Sequence, residues 1–318
     1  MIKFNEQEKI DSVNGALALR PQINEIVDEI CERGYSNICW LGVGGTWASA
    51  MQATVHMKEM SAIETWAENA AEYLTTGNKR ITKDTVVIIS SVSGNTKEVV
   101  DGIKKIKNEV GATVISFVDA KEAILLDLAD YKISYPVNEQ LKFFMVADRF
   151  MFNNGEFEDY EDMYAEFDKY LAQALVEVEK KAEPFAVEFA KKHWNDEMHY
   201  FVGAGNQWGA TYSYAMCYWE EQLWLKTKSI TSNEFFHGMF EIVTKETPVT
   251  IYIGEDAQRP LSERVANFIP RICANYTIID TKDYELKGIS EKYRKHLSHH
   301  VMHAVNNRID VHMEIETR

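Results

Sequence analysis

The sequence predicts an α/β fold of two similar halves, each a doubly wound parallel sheet flanked by helices in three layers. Three observations carry this expectation. Short apolar runs alternate with helical patterns along most of the 318 residues. The alternation stops over an acidic stretch near the middle and then resumes. Each half opens on an apolar run, a glycine turn and a helical pattern: ICWLGVGGTWASA in the first, HYFVGAGNQWGATY in the second. Continuous apolar runs suit strands buried on both faces, as in parallel sheets. Two echoing halves point to duplication at the scale of a domain.

In the first half, strand signals cover residues 37–43, a short run at 62–66, 85–90, 113–118 and a weaker run at 131–135. Helical patterns fill Trp47 to about Met60, the stretch up to about Tyr73, and Thr96 to about Val110. Residues 155–192 carry helical periodicity with a strongly acidic start and read as linker helices between the halves. The second half places strands at 199–205, 248–254 and 276–280, with helices near 209–226, 261–275 and 289–306. The expected domains are therefore 1–176 and 177–318.

Bulk properties narrow the function. A net charge of −15 repels nucleic acid and anionic lipid, so a phosphorylated ligand must be held by local dipoles. The four cysteines form no CxxC pair and lie in apolar runs, as expected of reduced thiols in a cytoplasmic protein. The first residues lack a signal-peptide core. No apolar run is long enough to span a bilayer, so no membrane partner is expected.

Five groups of residues could carry chemistry. Ser91-Val92-Ser93-Gly94-Asn95-Thr96 lies between a strand and a helix. Small hydroxyl residues and a glycine can wrap an anion at a helix N-terminus, although Ser and Thr also cap helices without any ligand. The absence of a P-loop lysine favours a sugar phosphate over a nucleotide. Gly44-Gly45-Thr46 closes the first strand, where open α/β sheets bind ligands; a simple Thr-capped turn is the plainer reading. Ser232–Gly238 sets Glu234 and His237 around two phenylalanines. Trp219–Trp224 sets Glu220 and Glu221 among aromatics, and adjacent residues cannot share one helix face. His296, His299, His300 and His303 follow i, i+3, i+4, i+7 spacing; a solvated or interface face is the default, because zinc needs three or four convergent ligands.

Together these residues resemble the double-SIS (sugar isomerase) family, over about Tyr35 to Arg308. The resemblance rests on Gly44-Gly45-Thr46, on Ser91-x-Ser93-Gly94-Asn95-Thr96-x-Glu98, and on Glu221 followed sixteen positions later by His237 in Glu234-x-x-His237-Gly238. Gly94-Asn95-Thr96 and the Phe-Phe-His loop are closer to the deglycases of 6-phosphorylated sugar–amino acid adducts than to the synthases. No glutaminase domain precedes them. Met239 stands where the family usually has proline.

The resemblance implies that Gly45, Thr46, Ser91, Ser93, Asn95 and Thr96 bind phosphate. It makes Glu221, in an aromatic pocket that would raise its pKa, the proton-shuttling base. His237, oriented by Glu234, would serve ring opening or proton transfer. It also implies a homodimer whose partner supplies the histidine. No metal or organic cofactor is needed, since the substrate's own imine is the electron sink. The alternatives are a glucosamine-6-phosphate deaminase or aldose–ketose isomerase, and a non-catalytic sugar-phosphate sensor.

Overall fold

The computed structural model describes residues 1–118, 120–134 and 138–318. They form two compact units. One, here the N-terminal unit, is Ser12–Tyr164; the other, the C-terminal unit, is Met1–Asp11 with Ala165–Arg318. The expected boundary at 176/177 lies inside one uninterrupted helix, Ala172–His193. The chain divides at Tyr164 instead.

Two helices, α1 (Glu6–Leu17) and α2 (Arg20–Arg33), precede the first strand. The N-terminal unit then alternates β1 (Asn37–Gly42), α3 (Gly45–Met60), β2 (Thr65–Asn69), α4 (Ala70–Thr76), β3 (Thr85–Ser91), α5 (Lys97–Lys105), β4 (Thr113–Val118), α6 (Ile124–Leu128), β5 (Tyr131–Ser134), α7 (Glu139–Asn153) and α8 (Tyr160–Glu166). The sheet is parallel throughout, in the order β2-β1-β3-β4-β5. Every residue of β1 and β3 is buried, which explains their unbroken apolar runs. The weak strand expected to reach Tyr135 ends at Ser134; Tyr135 lies outside the described residues.

Helix α7 was not expected. Ten of its fifteen residues are buried, so it lacks the one-sided stripe by which a surface helix is read. It carries a polar cluster into the core. Asp148 Oδ1 lies 2.5 Å from His56 Nε2 of α3, and its Oδ2 accepts from the Tyr164 hydroxyl at 2.6 Å. His56 and Asp148 are 3% and 1% exposed, so breaking the pair strands a buried polar group. Asp148→Ala is expected to cost about 3 kcal/mol of stability, read as a lower urea midpoint; Asp148→Asn should cost less.

The C-terminal unit contains α9 (Ala172–His193), β6 (His199–Gly203), α10 (Asn206–Ser213), β7 (Thr227–Thr231), α11 (Met239–Ile242), β8 (Val249–Ile253), α12 (Arg259–Phe268), β9 (Tyr276–Asp280) and α13 (Ser298–Thr317). Its parallel sheet runs β7-β6-β8-β9. Two expectations are corrected here. The stretch read as linker helices includes α9, which packs along α13 and buries residues from Ala172 to His193, making it a core element. The helix expected to reach Lys226 passes into a π helix, Tyr214–Glu220, and stops; β7 follows, with β-branched Thr227, Ile230 and Thr231 favouring a strand. His296 ends a separate 3-10 segment, Glu291–His296, so the four histidines do not share one helix.

Candidate phosphosugar site

The loop after β3 is built by its own side chains. Ser91 Oγ accepts from the Gly94 N–H at 3.1 Å, and Ser93 Oγ accepts from the Asn95 N–H at 3.2 Å. Asn95 pins the loop to α6, its Oδ1 accepting from the Ile124 N–H at 3.0 Å. Gly94 has φ +63°, the left-handed region that favours glycine. Thr96 precedes α5 without capping it, and Ser91 Oγ lies 3.5 Å from Thr96 Oγ1. The hydroxyls of Ser91, Ser93 and Thr96 thus surround the start of α5, whose first N–H groups have no intrahelical acceptor. Asn95 holds the loop in shape through α6.

The two glycine turns repeat each other in detail. Gly44 has φ 62°, ψ −129° and Gly205 has φ 61°, ψ −134°, each just before a helix. Thr46, next to Gly45 at the start of α3, turns its hydroxyl back on the turn: Oγ1 donates to Val43 O at 3.0 Å and accepts from Val43 N–H at 3.1 Å. The plainer reading of a Thr-closed turn therefore describes Thr46 in this structure. At the second turn a carboxylate is already in place. Buried Asp256 accepts from the Asn206 N–H through Oδ2 and from the Gln258 N–H through Oδ1, both at 2.9 Å. A Cβ on Gly205 would lie 2.1 Å from Asp256 Oδ1. The start of α10 holds an anion belonging to the chain itself.

Glu221 caps the π helix, its N–H donating to Met216 O at 3.0 Å. It borders a cavity of about 560 Å³ together with Tyr218, Trp224, Asn307, Asp310 and Glu314, among others. Trp219 is fully buried behind it, whereas Glu220 and Glu221 are both exposed. Glu221 is thus exposed on the cavity wall, with Tyr218 and Trp224 bordering the same cavity. Glu220 is engaged with the Thr227 hydroxyl. Trp224 is 88% exposed with φ +60°, an uncommon backbone for a bulky residue.

Glu234 and His237 lie on the loop after β7. Buried Phe235 anchors this loop, Phe236 stacks edge-on with Phe268, and His237 N–H donates to Glu234 O at 2.9 Å. Both Glu234 and His237 are exposed, and neither is in the wall of the cavity that holds Glu221.

His193, Asp196 and His199 converge in the C-terminal unit, away from the histidines that drew attention in the sequence. Asp196 Oδ2 meets His193 Nδ1 at 2.7 Å and His199 Nδ1 at 2.8 Å. Burial drives the His199 pKa down to about 4, while bonds to the two imidazoles hold Asp196 below its usual value. Both groups bind fewer protons folded than unfolded. Stability from this cluster is present above the unfolded histidine pKa and is lost as pH falls from about 6.5 toward 4. A thermal midpoint that drops over this window, with a shallower fall in His199→Gln, is the expected result.

Sequence reasoning missed Asp310 and Asp256. Asp310 sits in a mixed polar and apolar part of α13, between Ile309 and Val311, where an acid reads as a solvent-facing position; Asp256 sits in a loop with no motif. All four cysteines are free thiols, Cys39 and Cys273 buried, Cys31 and Cys217 partly so. Among the described residues, no helix is long and apolar enough to cross a membrane.

Comparison with known proteins agrees with this architecture. The SIS domain profile matches residues 34–149. The fructosamine deglycase FrlB of Bacillus subtilis is 25% identical over 296 residues, covering 89% of each chain. The fructoselysine 6-phosphate deglycase of Escherichia coli K12 is 24% identical, over 82% of this chain and 77% of its own. A Bacillus subtilis structure described as a phosphosugar isomerase superposes with a TM-score of 0.88 at 22% identity, covering 95% of each chain. Residues 34–149 of this chain thus carry a SIS domain, and the fold of the whole chain, two units each built on a parallel sheet, is that of the phosphosugar isomerase structure.

Proposed function

We propose that this SIS-family enzyme is a deglycase that splits a 6-phosphorylated sugar–amino acid adduct, of the fructoselysine or glucoselysine 6-phosphate type, into hexose 6-phosphate and free amino acid. The observation that carries the reading is Glu221, a carboxylate set on the wall of a cavity large enough for a sugar and its substituent. Relatives named as deglycases over most of the chain support the substrate class.

In this reading the Ser91–Thr96 loop holds the phosphate with hydroxyls and the N-terminal N–H groups of α5. Glu221 takes a proton from C1 of the fructosamine and returns one to C2. The enaminol formed collapses to a C1 imine, and water releases the amine. Glucose 6-phosphate and the amino acid leave; a glucosamine-type adduct would start at C2 and give fructose 6-phosphate. His237 assists at the sugar oxygens. Its absence from the Glu221 cavity supports delivery by a second copy of the chain, in a cytoplasmic homodimer.

The test is one incubation series with fructoselysine 6-phosphate, glucoselysine 6-phosphate and glucosamine 6-phosphate, with hexose 6-phosphates and free amine quantified separately. Release of lysine with a hexose 6-phosphate is expected. Turnover of glucosamine 6-phosphate alone would replace the reading with a deaminase or isomerase. Binding of phosphosugars without turnover of any of them would make the protein a sensor.

A further inference from the structure

The cavity beside Glu221 holds a second carboxyl group with an unusual position. Asp310 of α13 borders it, yet both carboxyl oxygens are buried and, among the described residues, no ion pair reaches them; the hydroxyl of Tyr214 lies against the acid. A buried acid with no cation beside it is destabilising. Four cations border the same cavity, and each is committed elsewhere. Lys3 and Arg318 pair with Glu314 at 2.7 and 3.2 Å. Lys9 pairs with Glu179 at 3.2 Å, and Arg308 with Glu183 at 2.6 Å.

We infer that Asp310 is the carboxyl that receives the substrate's protonated amine, so that the cavity takes the amino-bearing end of a phosphosugar adduct. This rests on the deglycase reading and names the group that would recognise its nitrogen. The surroundings suit the task. The hydroxyl of Tyr214 faces the acid, and Tyr218, which also borders the cavity, and Tyr252 of β8 feel its charge. Glu314, one turn along α13, adds like charge. Burial first, and Glu314 second, push Asp310 up to about 8 against the opposing effect of Tyr214. The empty site at neutral pH therefore holds a carboxylic acid. A secondary ammonium ion stabilises the carboxylate form, and the displaced proton goes to solvent: acid plus ammonium gives an ion pair plus one free proton. A phosphosugar without nitrogen has no such partner to offer.

The experiment compares two unreactive ligands by titration calorimetry at pH 7, in buffers of different ionisation enthalpy. One is the borohydride-reduced adduct, a 1-(alkylamino)-1-deoxyhexitol 6-phosphate; the other is sorbitol 6-phosphate. Wild-type protein is expected to bind the amine at least tenfold more tightly and to release about 0.9 proton with it, the fraction protonated for a group titrating near 8. Asp310→Asn should lose the preference and the proton release while binding sorbitol 6-phosphate within twofold of wild type. It should also melt higher at pH 9, since a costly buried charge is gone; a gain in stability with a loss of selectivity marks a functional acid. Equal binding of the two ligands by wild type, or an unchanged preference in Asp310→Asn, overturns the assignment and leaves the phosphosugar reading standing. Failure of wild type to bind either ligand overturns that reading, and the assignment with it. If Asp310→Asn does not fold, the proton release of the wild type decides alone.

Discussion

Glu221→Gln is expected to lower kcat by about a thousandfold while leaving the dissociation constant for sorbitol 6-phosphate within a few-fold of wild type. General acid–base groups contribute on the order of 10² to 10⁴ in rate, and one that handles both proton transfers belongs in the upper part of that range. Glutamine keeps the shape of the cavity wall and removes only the capacity to hold the proton. The decisive readings are release of hexose 6-phosphate and exchange of the C1 proton in deuterated buffer; both should vanish together. Glu220→Gln is the internal control. Its carboxylate is engaged with Thr227 and it is not in the cavity wall, so turnover should stay within about threefold of wild type. Full activity in Glu221→Gln would remove Glu221 from the mechanism.

Gly94→Ala is expected to raise KM for the phosphorylated substrate by about tenfold or more and to destabilise the N-terminal unit by about 2–4 kcal/mol. Two effects add. The residue has φ +63°, where a side chain is strained whatever the space around it. A Cβ would also sit 2.5 Å from Ala123 Cβ and 2.7 Å from Val118 Cγ1, so the loop must lift off the end of β4. Lifting it breaks the Gly94 N–H bond to Ser91 and shifts the hydroxyls around the helix start. Ser93→Ala is the milder companion: it removes one acceptor and one donor without moving the backbone, and should raise KM with little change in melting temperature. KM measured beside thermal unfolding separates the two; an unaltered KM in both variants would show that the loop binds no phosphate.

The fold was largely legible because strand burial leaves a strong trace. β4 and β9 occupy the residues expected of them, since unbroken runs such as TVISFV fit only a buried strand. The turn at Ser91–Thr96 was legible for a similar reason, since a glycine and small hydroxyl residues between a strand and a helix mark a tight loop; that it holds phosphate is our proposal. The failures share a cause: tertiary context that leaves no periodic mark. Helix α7 is apolar on nearly every side. The π helix after α10 ends at Glu220, short of the expected Lys226, and hydrogen bonds such as Glu221 N–H to Met216 O widen its last turns. Asp310 and Asp256 are single acids whose meaning comes from what lies across the fold from them: an unsatisfied cavity wall for one, a glycine turn for the other.

That second acid has a consequence for how a duplicated fold can divide its labour. A free phosphate gives up translational freedom each time it binds, and its occupancy follows its concentration. Asp256 gives up almost none, because the backbone between Gly205 and Asp256 already holds it at the helix start. The turn in the C-terminal unit therefore behaves as a receptor with its ligand tethered in place, insensitive to dilution and to competing anions. The start of α10, in the half of the chain that carries Glu221, is thus permanently occupied by the chain's own acid, whereas the matching turn at Gly44 is closed by the Thr46 hydroxyl.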